Sequence, residues 1–168
     1  MSQPGEAARR RRAALGTLLF TLTVPGTVVV LLPGWLSGWR LAGHGWQRIL
    51  GGLLILAALP IFVAFLVRFV REGVGTPAPI APTERLVVGG PFERVRNPGY
   101  VAVVALVLGQ ALCFGSGAVA LYAVLLGLGF HLFVVLYEEP TLRRQFGAEY
   151  EAYCQRVPRW LPRLGRRD

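Results

Sequence analysis

Two adjacent carboxylates, Glu138 and Glu139, follow the last long apolar run of a chain that has only nine acidic residues. A carboxylate pair opposes the negative end of a helix dipole, where a basic residue would be more favourable. If the apolar run crosses a membrane, one interpretation is that the chain leaves the membrane here and that water solvates both groups. Apolar residues precede the pair, however, and carboxylates at that depth need partners. Arg96 could supply one, or the pair could bind a cationic or hydroxyl-bearing ligand.

The segment Arg-Asn-Pro-Gly-Tyr, residues 96–100, has the features of a helix start. Asn97 is a favourable N-cap, and Pro98 is favourable at the first helical position. The free backbone donors of such a helix start, with Arg96 beside them, form an anion-binding site. A capped helix whose neighbouring arginine reaches toward the interface is the plainer alternative.

Two further features are candidates for ligand contact. Gly89 and Gly90, followed by a proline, allow a tight turn or the close approach of a ligand. His131 lies seven residues before Glu138, on roughly the same helix face, and an ionisable group in a membrane helix is a functional candidate. The alternatives are an ordinary turn and a neutral histidine that is bonded to a neighbouring helix, for example through Gln110.

Taken together, these residues describe a site at the membrane boundary with a donor-rich helix start, an arginine, a glycine turn and two carboxylates. This set suits a ligand that has an anionic end, hydroxyl groups and a cationic centre. A metal site is not expected, because the two cysteines and two histidines lack the spacing of metal ligands.

The elements that position these residues are predicted to be membrane helices. Apolar residues make up 54% of the 168 residues and charged residues only 16%, whereas about a quarter of a soluble domain is charged. Four apolar segments cover residues 13–32, 49–70, 99–114 and 118–137, and about 20 apolar residues span a bilayer. The third segment is short, so we expect it to be tilted or to form a helical hairpin with the fourth.

The first apolar segment follows four arginines, as the core of a signal peptide would. Its apolar run is longer than that of a secretory signal, and no small-residue cleavage site follows it. We therefore interpret it as a retained membrane helix.

All 18 basic residues are arginines, and their distribution predicts the topology. Sixteen lie in the two terminal tails and in the stretch from Arg68 to Arg96, whereas Arg40 and Arg48 lie between the first two segments. This asymmetry predicts that both termini and the central loop face the cytoplasm, in a cell inner membrane. It also accounts for the net charge of +9 without nucleic acid and makes membrane lipids the expected partners.

Two stretches outside the apolar segments are predicted to have structure of their own. Pro140 is expected to break the helix or to open a new one. Apolar side chains then recur at the helical spacings 4, 4 and 3, which predicts an amphipathic helix at the membrane interface; they are Leu142, Phe146, Tyr150 and Tyr153. The central loop, residues 71–98, is long for a simple connector, and we expect a short strand at residues 86–88.

The order of these motifs resembles the isoprenylcysteine carboxyl methyltransferase and phospholipid methyltransferase group of membrane enzymes. The segment GGPFERVRNPGY is followed by an apolar hairpin and then by YEEPTLRRQFGAEYEAYCQRVPRWLP, so the resemblance covers residues 89–162. We therefore expect an all-α integral membrane protein with about four transmembrane helices and a C-terminal interfacial helix. Residues 1–168 would form one methyltransferase domain, with its catalytic half at about residues 86–162.

The resemblance implies S-adenosylmethionine as the methyl donor. In the family, the Arg-His/Asn-Pro-x-Tyr segment and the glutamate pair help to enclose this cofactor near the cytoplasmic face. Carried over to this sequence, these positions are Arg96, Asn97, Pro98, Tyr100, Glu138 and Glu139. Gly90 and His131 are added as expected cofactor contacts, Arg96 and Glu139 are expected to act in catalysis, and no metal is expected.

Three departures from the family pattern bear on the finer assignments. Asn97 stands where many relatives have histidine, so a histidine-based proton role is not expected there. Ala102 stands where a glycine is frequent. Leu136 stands where the eukaryotic carboxyl methyltransferases tend to have arginine, which argues against a prenylated-cysteine carboxylate as the acceptor.

The expected function is methyl transfer to an apolar or lipid-like acceptor, at a carboxylate, an amine or a thiol. The acceptor would enter between the third and fourth segments, where small and polar residues leave room for it: Gly109, Gln110, Gly127, Gly129 and His131. Close helix packing is the alternative explanation of these glycines. A non-catalytic scaffold or lipid-binding protein with the same fold is the alternative function, and the lack of an internal repeat argues against a transporter.

Overall fold

The computed structural model describes residues 23–71 and 86–163, and the elements that it contains there are helices. In chain order they are a π-helical turn (Thr27–Leu31), α1 (Leu32–Ser37), α2 (Gly45–Arg71), a 3₁₀ turn (Gly90–Glu93), α3 (Pro98–Phe114), α4 (Gly117–Phe133), a second π-helical turn (Val134–Glu138), α5 (Glu139–Phe146) and α6 (Ala148–Arg156). The all-α prediction is confirmed for this part of the chain.

The strand expected at residues 86–88 is wrong. These residues are irregular, and no strand occurs among the described residues to pair with them. A lone strand leaves its backbone groups without partners and is not stable by itself. Leu86 instead packs against the buried side chains of Tyr150 and Tyr153.

Two helices are long and apolar enough to cross a membrane, where four were predicted. They cover Gly45–Arg68, with 24 residues, and Gly117–Phe146, with 30 residues. Two shorter apolar helices, Thr23–Ser37 and Pro98–Phe114, accompany them in the described ranges. Much of the first predicted segment, residues 13–22, lies outside the described residues. The short third segment, at Pro98–Phe114, agrees with the expected hairpin.

Helix α3 is short because strong signals limit it at both ends. Pro98 occupies its first turn, and Gly115 ends it in a left-handed conformation with φ +60°. Ser116 then caps α4, since its hydroxyl oxygen accepts from the backbone N–H of Val119 at 3.4 Å. The predicted hairpin between α3 and α4 therefore turns within two residues.

Helix α3 lies in the centre of the bundle, between α2 and α4. Gly51 of α2 and Gly109 of α3 face each other so closely that a Cβ added at Gly109 would lie 2.8 Å from the Gly51 carbonyl oxygen. Gln110 donates from Nε2 to the Val29 carbonyl at 2.7 Å and so ties down the N-terminal helical segment. Gly109 thus permits close helix packing, which was the alternative to an acceptor path. Gln110 likewise joins two helical segments and does so through a hydrogen bond.

Pro140 does not end the helix that precedes it. The chain stays helical from Gly117 to Phe146, because a π-helical turn at Val134–Glu138 leads into α5 with Pro140 in its first turn. Proline lacks the N–H that an α-helix needs, and the wider turn accommodates this loss. Glu138 and Glu139 therefore lie inside a continuous helical segment, so the assumption that they sit at a helix end is wrong.

The amphipathic helix expected after Pro140 is two helices. Gly147, with φ +49°, separates α5 from α6, and this conformation is one that residues with a Cβ rarely adopt. The predicted apolar face packs onto the protein itself, because Tyr150 and Tyr153 are buried at 2% and 4% exposure in a cluster with Val157. This face therefore helps to form a site and is not left for the bilayer.

Candidate active site

Glu139 lies at the centre of a buried ion cluster and is only 2% exposed. Arg159 donates to it side-on, from Nε to Oε1 at 2.6 Å and from Nη2 to Oε2 at 3.0 Å. Arg96 Nη1 lies 3.2 Å from Oε1, and Arg143 Nη2 lies 3.6 Å from Oε2. A buried carboxylate needs such compensation, and the predicted pairing of the glutamates with Arg96 is confirmed for Glu139.

Backbone contacts hold Arg159 in this position. The Arg96 N–H donates to the Pro158 carbonyl at 2.9 Å, and the Asn97 amide Nδ2 donates to the Arg159 carbonyl at 3.2 Å. Asn97 is the N-cap residue of α3, as predicted, but its side chain does not cap the helix. It binds the C-terminal segment, residues 157–163, instead. Hydrogen bonding to Glu139 raises the pKa of the Arg159 guanidinium, which therefore stays charged.

Arg96 connects the ion cluster to α6. Its Nη1 lies 2.6 Å from the Cys154 Sγ and 3.4 Å from the Tyr150 hydroxyl. Burial is the largest of the causes that raise the pKa of Tyr150, so this hydroxyl remains neutral. The Arg96 Nε is buried and finds no hydrogen-bond partner among the residues that the structure describes. One strong donor of the cluster is thus left without a protein acceptor in the described part of the chain.

Glu138 has a different environment from its neighbour. Its Oε2 accepts a hydrogen bond from the Tyr100 hydroxyl at 3.1 Å. The Tyr100 ring packs on Phe130 of α4, with ring centroids 4.6 Å apart. A carboxylate has about four acceptor positions, so this single bond leaves Glu138 with acceptor capacity for a ligand.

Glu138 and Glu139 both line a cavity of about 100 Å³, which we call the polar cavity. Arg96 and Asn97 line the same cavity, and most of the other walls are apolar or aromatic: Leu86, Val87, Phe92, Val134, Leu142, Tyr150 and Tyr153. Tyr153 donates to the Phe92 carbonyl at 2.7 Å and so fixes the cavity wall that the 3₁₀ turn forms. Burial raises the pKa of Tyr153 and keeps this hydroxyl protonated as a donor.

A second, larger cavity of about 390 Å³ lies on the other side of Tyr100, and we call it the apolar groove. Its lining comes from α2, α3, α4 and the C-terminal segment: Leu54, Tyr100, Val101, Val104, Ala105, Leu108, Gly127, Phe130, Trp160 and Leu161. Tyr100 links the two linings, because it lines the apolar groove and its hydroxyl donates to Glu138, which lines the polar cavity.

Comparison with known families places this site in context. The sequence profile of phospholipid methyltransferases matches residues 46–149, which is more than half of the chain. The chain belongs to the phospholipid methyltransferase family. No curated protein matches it significantly. The family match includes α2, the helix start at Pro98, the α3–α4 hairpin and the glutamate pair, and it confirms the expected relationship to a family of membrane methyltransferases.

The phospholipid methyltransferase match ends at Glu149, before residues that the structure places in the site. Sequence reasoning missed the partnership of Arg159 and Arg143 with Glu139. The segment Val-Pro-Arg-Trp belongs to the quoted family motif. Its presence in that motif was the signal that could have pointed to Arg159.

The expected cofactor contacts do not all meet in the polar cavity. Arg96, Asn97, Glu138 and Glu139 line it and Tyr100 binds Glu138, whereas three other expected residues are not among its lining residues: Gly90, Pro98 and His131. The guanidinium of Arg68 lies against Gly89, where an added Cβ would overlap it, so the glycine turn admits this side chain.

His131 has a different partner from the one that was suggested. Its Nδ1 accepts a hydrogen bond from the Trp160 indole Nε1 at 3.2 Å, whereas Gln110 donates to the Val29 and Leu106 carbonyls. Of the residues expected to border an acceptor path, only Gly127 lines the apolar groove in the described part of the chain.

Proposed function

We propose that this member of the phospholipid methyltransferase family transfers a methyl group from S-adenosylmethionine to an apolar or lipid-like acceptor. The observation that carries the proposal is the junction at Tyr100, where a polar cavity with two carboxylates meets an apolar groove. A polar methyl donor and an apolar acceptor need such adjoining but different environments.

The polar cavity has groups that complement the donor. Glu138 has acceptor capacity for an amine or for ribose hydroxyls, and Arg96, whose guanidinium suits a carboxylate, lines the same cavity. The cavity of about 100 Å³ is smaller than the roughly 300 Å³ at the lower end for drug-sized ligands. The polar groups, and not the volume, therefore support this assignment.

The residues of the site divide into contacting and positioning roles. Glu139 is almost fully buried and its oxygens bind arginines, so its proposed role is to hold Arg96 and Arg159 in place. Arg96 and Glu138 are the proposed ligand contacts. Tyr100 orients the Glu138 carboxylate, and the apolar walls exclude water, which strengthens polar interactions inside the cavity.

S-adenosylmethionine, when bound, supplies a sulfonium methyl group, which bonds to a lone pair of the acceptor while the S–CH₃ electrons stay on sulfur. For an amine acceptor, one N–H proton is then released. The family name favours a phospholipid amine, and a carboxylate or a thiol remains the alternative. Positioning both reactants at the Tyr100 junction is the chain's own contribution to the rate.

The proposed orientation places the polar cavity on the cytoplasmic side of a cell inner membrane, with both termini in the cytoplasm. The arginines on the side of the polar cavity lie near the end of α2, just before α3 and after α4; they are Arg68, Arg96, Arg143, Arg156 and Arg159. At the opposite end, Arg40 precedes α2 and Arg48 lies in its first turn. Three tryptophans are exposed near the connection between α1 and α2, as expected for an aromatic belt at a membrane surface: Trp35, Trp39 and Trp46.

A labelling experiment tests the proposal. Purified protein is incubated with methyl-labelled donor and total membrane lipid, and the labelled product is identified by mass spectrometry. We expect one lipid class to become labelled, and we expect the Glu138→Ala variant to lose most of this activity. Absence of both donor binding and label transfer in the unsubstituted protein would contradict the proposed function.

The sizes of the two cavities favour a second candidate, a lipid-binding protein without catalysis. The apolar groove has about four times the volume of the polar cavity. An equilibrium titration with S-adenosylmethionine separates the two candidates, since a lipid-binding protein would not bind the donor.

A further inference from the structure

We propose that Trp160 determines acceptor specificity, because it contacts the hydrocarbon chain of the acceptor next to its reactive head group. This inference rests on the proposed function. It assigns one occupant to the apolar groove, namely a single hydrocarbon chain of a membrane-embedded acceptor.

The shape of the apolar groove favours this occupant. Along α3 the groove follows one helix face from Tyr100 to Leu108, a distance of about 12 Å at 1.5 Å per residue. Its lining is almost wholly apolar, and it begins at the tyrosine that binds Glu138. An acceptor whose chain lies in the groove would therefore present its head group to the polar cavity.

The outer surfaces beside the groove are suited to lipid chains. Leu53 and Leu56 of α2 and Val124 of α4 are 59%, 67% and 62% exposed. Such apolar surfaces are stable among lipid chains and costly in water. The two helices that flank the groove thus present apolar surface on which a lipid chain can lie.

Trp160 lines the groove near its Tyr100 end, because it binds His131, the residue that follows Phe130, and the Phe130 ring packs on Tyr100. Its indole N–H donates to His131 Nδ1 at 3.2 Å, and the two ring centroids are 6.0 Å apart. Its neighbour Arg159 binds Glu139, and the carbonyls of Pro158 and Arg159 accept from Arg96 and Asn97. Consecutive residues of one anchored segment therefore belong to the surroundings of the two cavities: Arg159 binds Glu139 of the polar cavity, and Trp160 lines the apolar groove.

His131 acts in this arrangement as a positioning residue. It lies on the exposed side of α4 and holds the indole by accepting its N–H. A glutamine at this position keeps an acceptor, whereas an alanine removes it. The pair of variants thus separates the hydrogen bond from the bulk of the histidine ring.

The test uses the full-length chain in mixed micelles and measures binding of tritiated monoacyl phosphatidylethanolamines. Their acyl chains have about 8 to 18 carbons, a range that brackets the roughly 12 Å length of the groove. We expect Trp160→Ala to weaken binding of the longer probes about tenfold or more, the usual effect of removing a buried aromatic anchor. Donor affinity should stay within about twofold, because Trp160 does not line the polar cavity. Trp160→Phe should be intermediate, and His131→Gln should rescue what His131→Ala loses.

Trp46→Ala is the matched control, since Trp46 is an exposed tryptophan at the opposite end of α2. Equal losses in Trp46→Ala and Trp160→Ala would show that Trp160 is only an interface anchor and would overturn the inference. No binding of any probe by the unsubstituted protein, or unchanged binding by both Trp160 variants, would overturn it as well.

The outcomes also separate the inference from the proposed function. If the donor does not bind but Trp160→Ala still weakens chain binding, the methyltransferase proposal fails and the groove assignment stands. If methyl transfer occurs and the Trp160 variants are unchanged in chain binding and in KM, the groove assignment fails and the function stands.

Discussion

At the residue scale, two adjacent glutamates have different environments and different proposed roles. Successive residues of a helix point about 100° apart, so Glu139 points into the arginine cluster while Glu138 meets Tyr100. The Glu139 carboxylate is paired with arginines of the protein, whereas the Glu138 carboxylate keeps acceptor capacity. The pair therefore combines a structural group with a ligand-binding one.

Replacing Glu138 by glutamine should weaken donor binding and leave the fold intact. Loss of a charge-assisted hydrogen bond costs about 1–3 kcal/mol, and the amide still accepts from Tyr100. Isothermal titration with S-adenosylmethionine measures the change, with Glu149→Gln on the exposed surface of α6 as the control. Unchanged donor affinity in Glu138→Gln and in Glu138→Ala would exclude this carboxylate as a ligand contact.

Replacing Glu139 or Arg159 by alanine should destabilise the protein. Glu139→Ala leaves Arg96, at 11% side-chain exposure, without its carboxylate, and Arg159→Ala leaves the buried Glu139 with only Arg96 and Arg143. Removing one partner of a buried ion pair costs about 3–5 kcal/mol, and the smaller loss is expected for Arg159→Ala. The free energy of unfolding in denaturant should show coupling in the double variant, because the two residues form one side-on pair. Arg143→Ala is the control, since this side chain is 45% exposed and should contribute less than about 1 kcal/mol. Strictly additive losses would contradict the pairing.

At the scale of elements, the site depends on how the helices begin, continue and end. Pro98 starts α3 beside Arg96, and the π-helical turn carries the chain past Pro140 with the glutamates inside a helix. Gly147 then turns α6 back, so that its tyrosines cover the polar cavity. π-helical turns occur often at functional sites, and here the turn sets the direction of both carboxylates.

Replacing Gly127 by leucine should reduce methyl transfer to a long-chain acceptor. A Cβ at Gly127 would lie 3.7 Å from Val104 in ordinary contact, so the rest of the leucine fills the apolar groove. The leucine side chain should exclude a few methylenes of the acceptor chain from the groove. Because burial of each methylene contributes about 0.8 kcal/mol, kcat/KM should fall about tenfold or more. Radiolabelled transfer assays measure this effect, and donor affinity should be nearly unchanged.

Gly129→Leu is the matched control for this prediction. A Cβ at Gly129 meets nothing within 4 Å, and this residue does not line the groove. Equal losses of activity in both variants would indicate a general packing effect. Joint loss of folding and donor binding in Gly127→Leu would mean that the glycine serves helix packing.

At the scale of the whole molecule, the described residues form a bundle with an arginine-rich end and a tryptophan-rich end. The ion cluster around Glu139 lies at the first, and the exposed Trp35, Trp39 and Trp46 lie at the second. Between them, α2 and α4 present apolar side chains outward. This arrangement matches a bilayer with the polar cavity at one of its surfaces.

Cysteine labelling should place the two ends on opposite sides of the membrane. Cysteines introduced singly at Ser2 and Asp168, which lie outside the described residues, should react with an impermeant reagent from the cytoplasm. A cysteine at Ser37, at the end of α1, should react only from the opposite side. Reaction of the Ser37→Cys variant from the cytoplasm would contradict the arginine-based orientation, and the unsubstituted chain corrects for Cys113 and Cys154.

The sequence by itself determined the family, the helical class and the local limits of the site. The start of α3 at Pro98, the Gly-Ser-Gly hairpin and the nearness of Arg96 to the glutamate pair all follow from local capping rules or from the family motif. These features depend on residues close in sequence or on one recognised pattern. For that reason they could be predicted without a structure.

Only the tertiary structure decided which groups meet across the chain. Arg159 reaches Glu139 from 20 residues away, Trp160 reaches His131 from 29, and Asn97 binds the Arg159 carbonyl from 62. No helical spacing encodes these contacts, because they depend on how α3, α4 and the C-terminal segment pack together. Tyr150 and Tyr153 of α6 were predicted to face the membrane, but the same packing makes them walls of the polar cavity. This arrangement is favourable because their burial against Leu86 removes apolar surface from water.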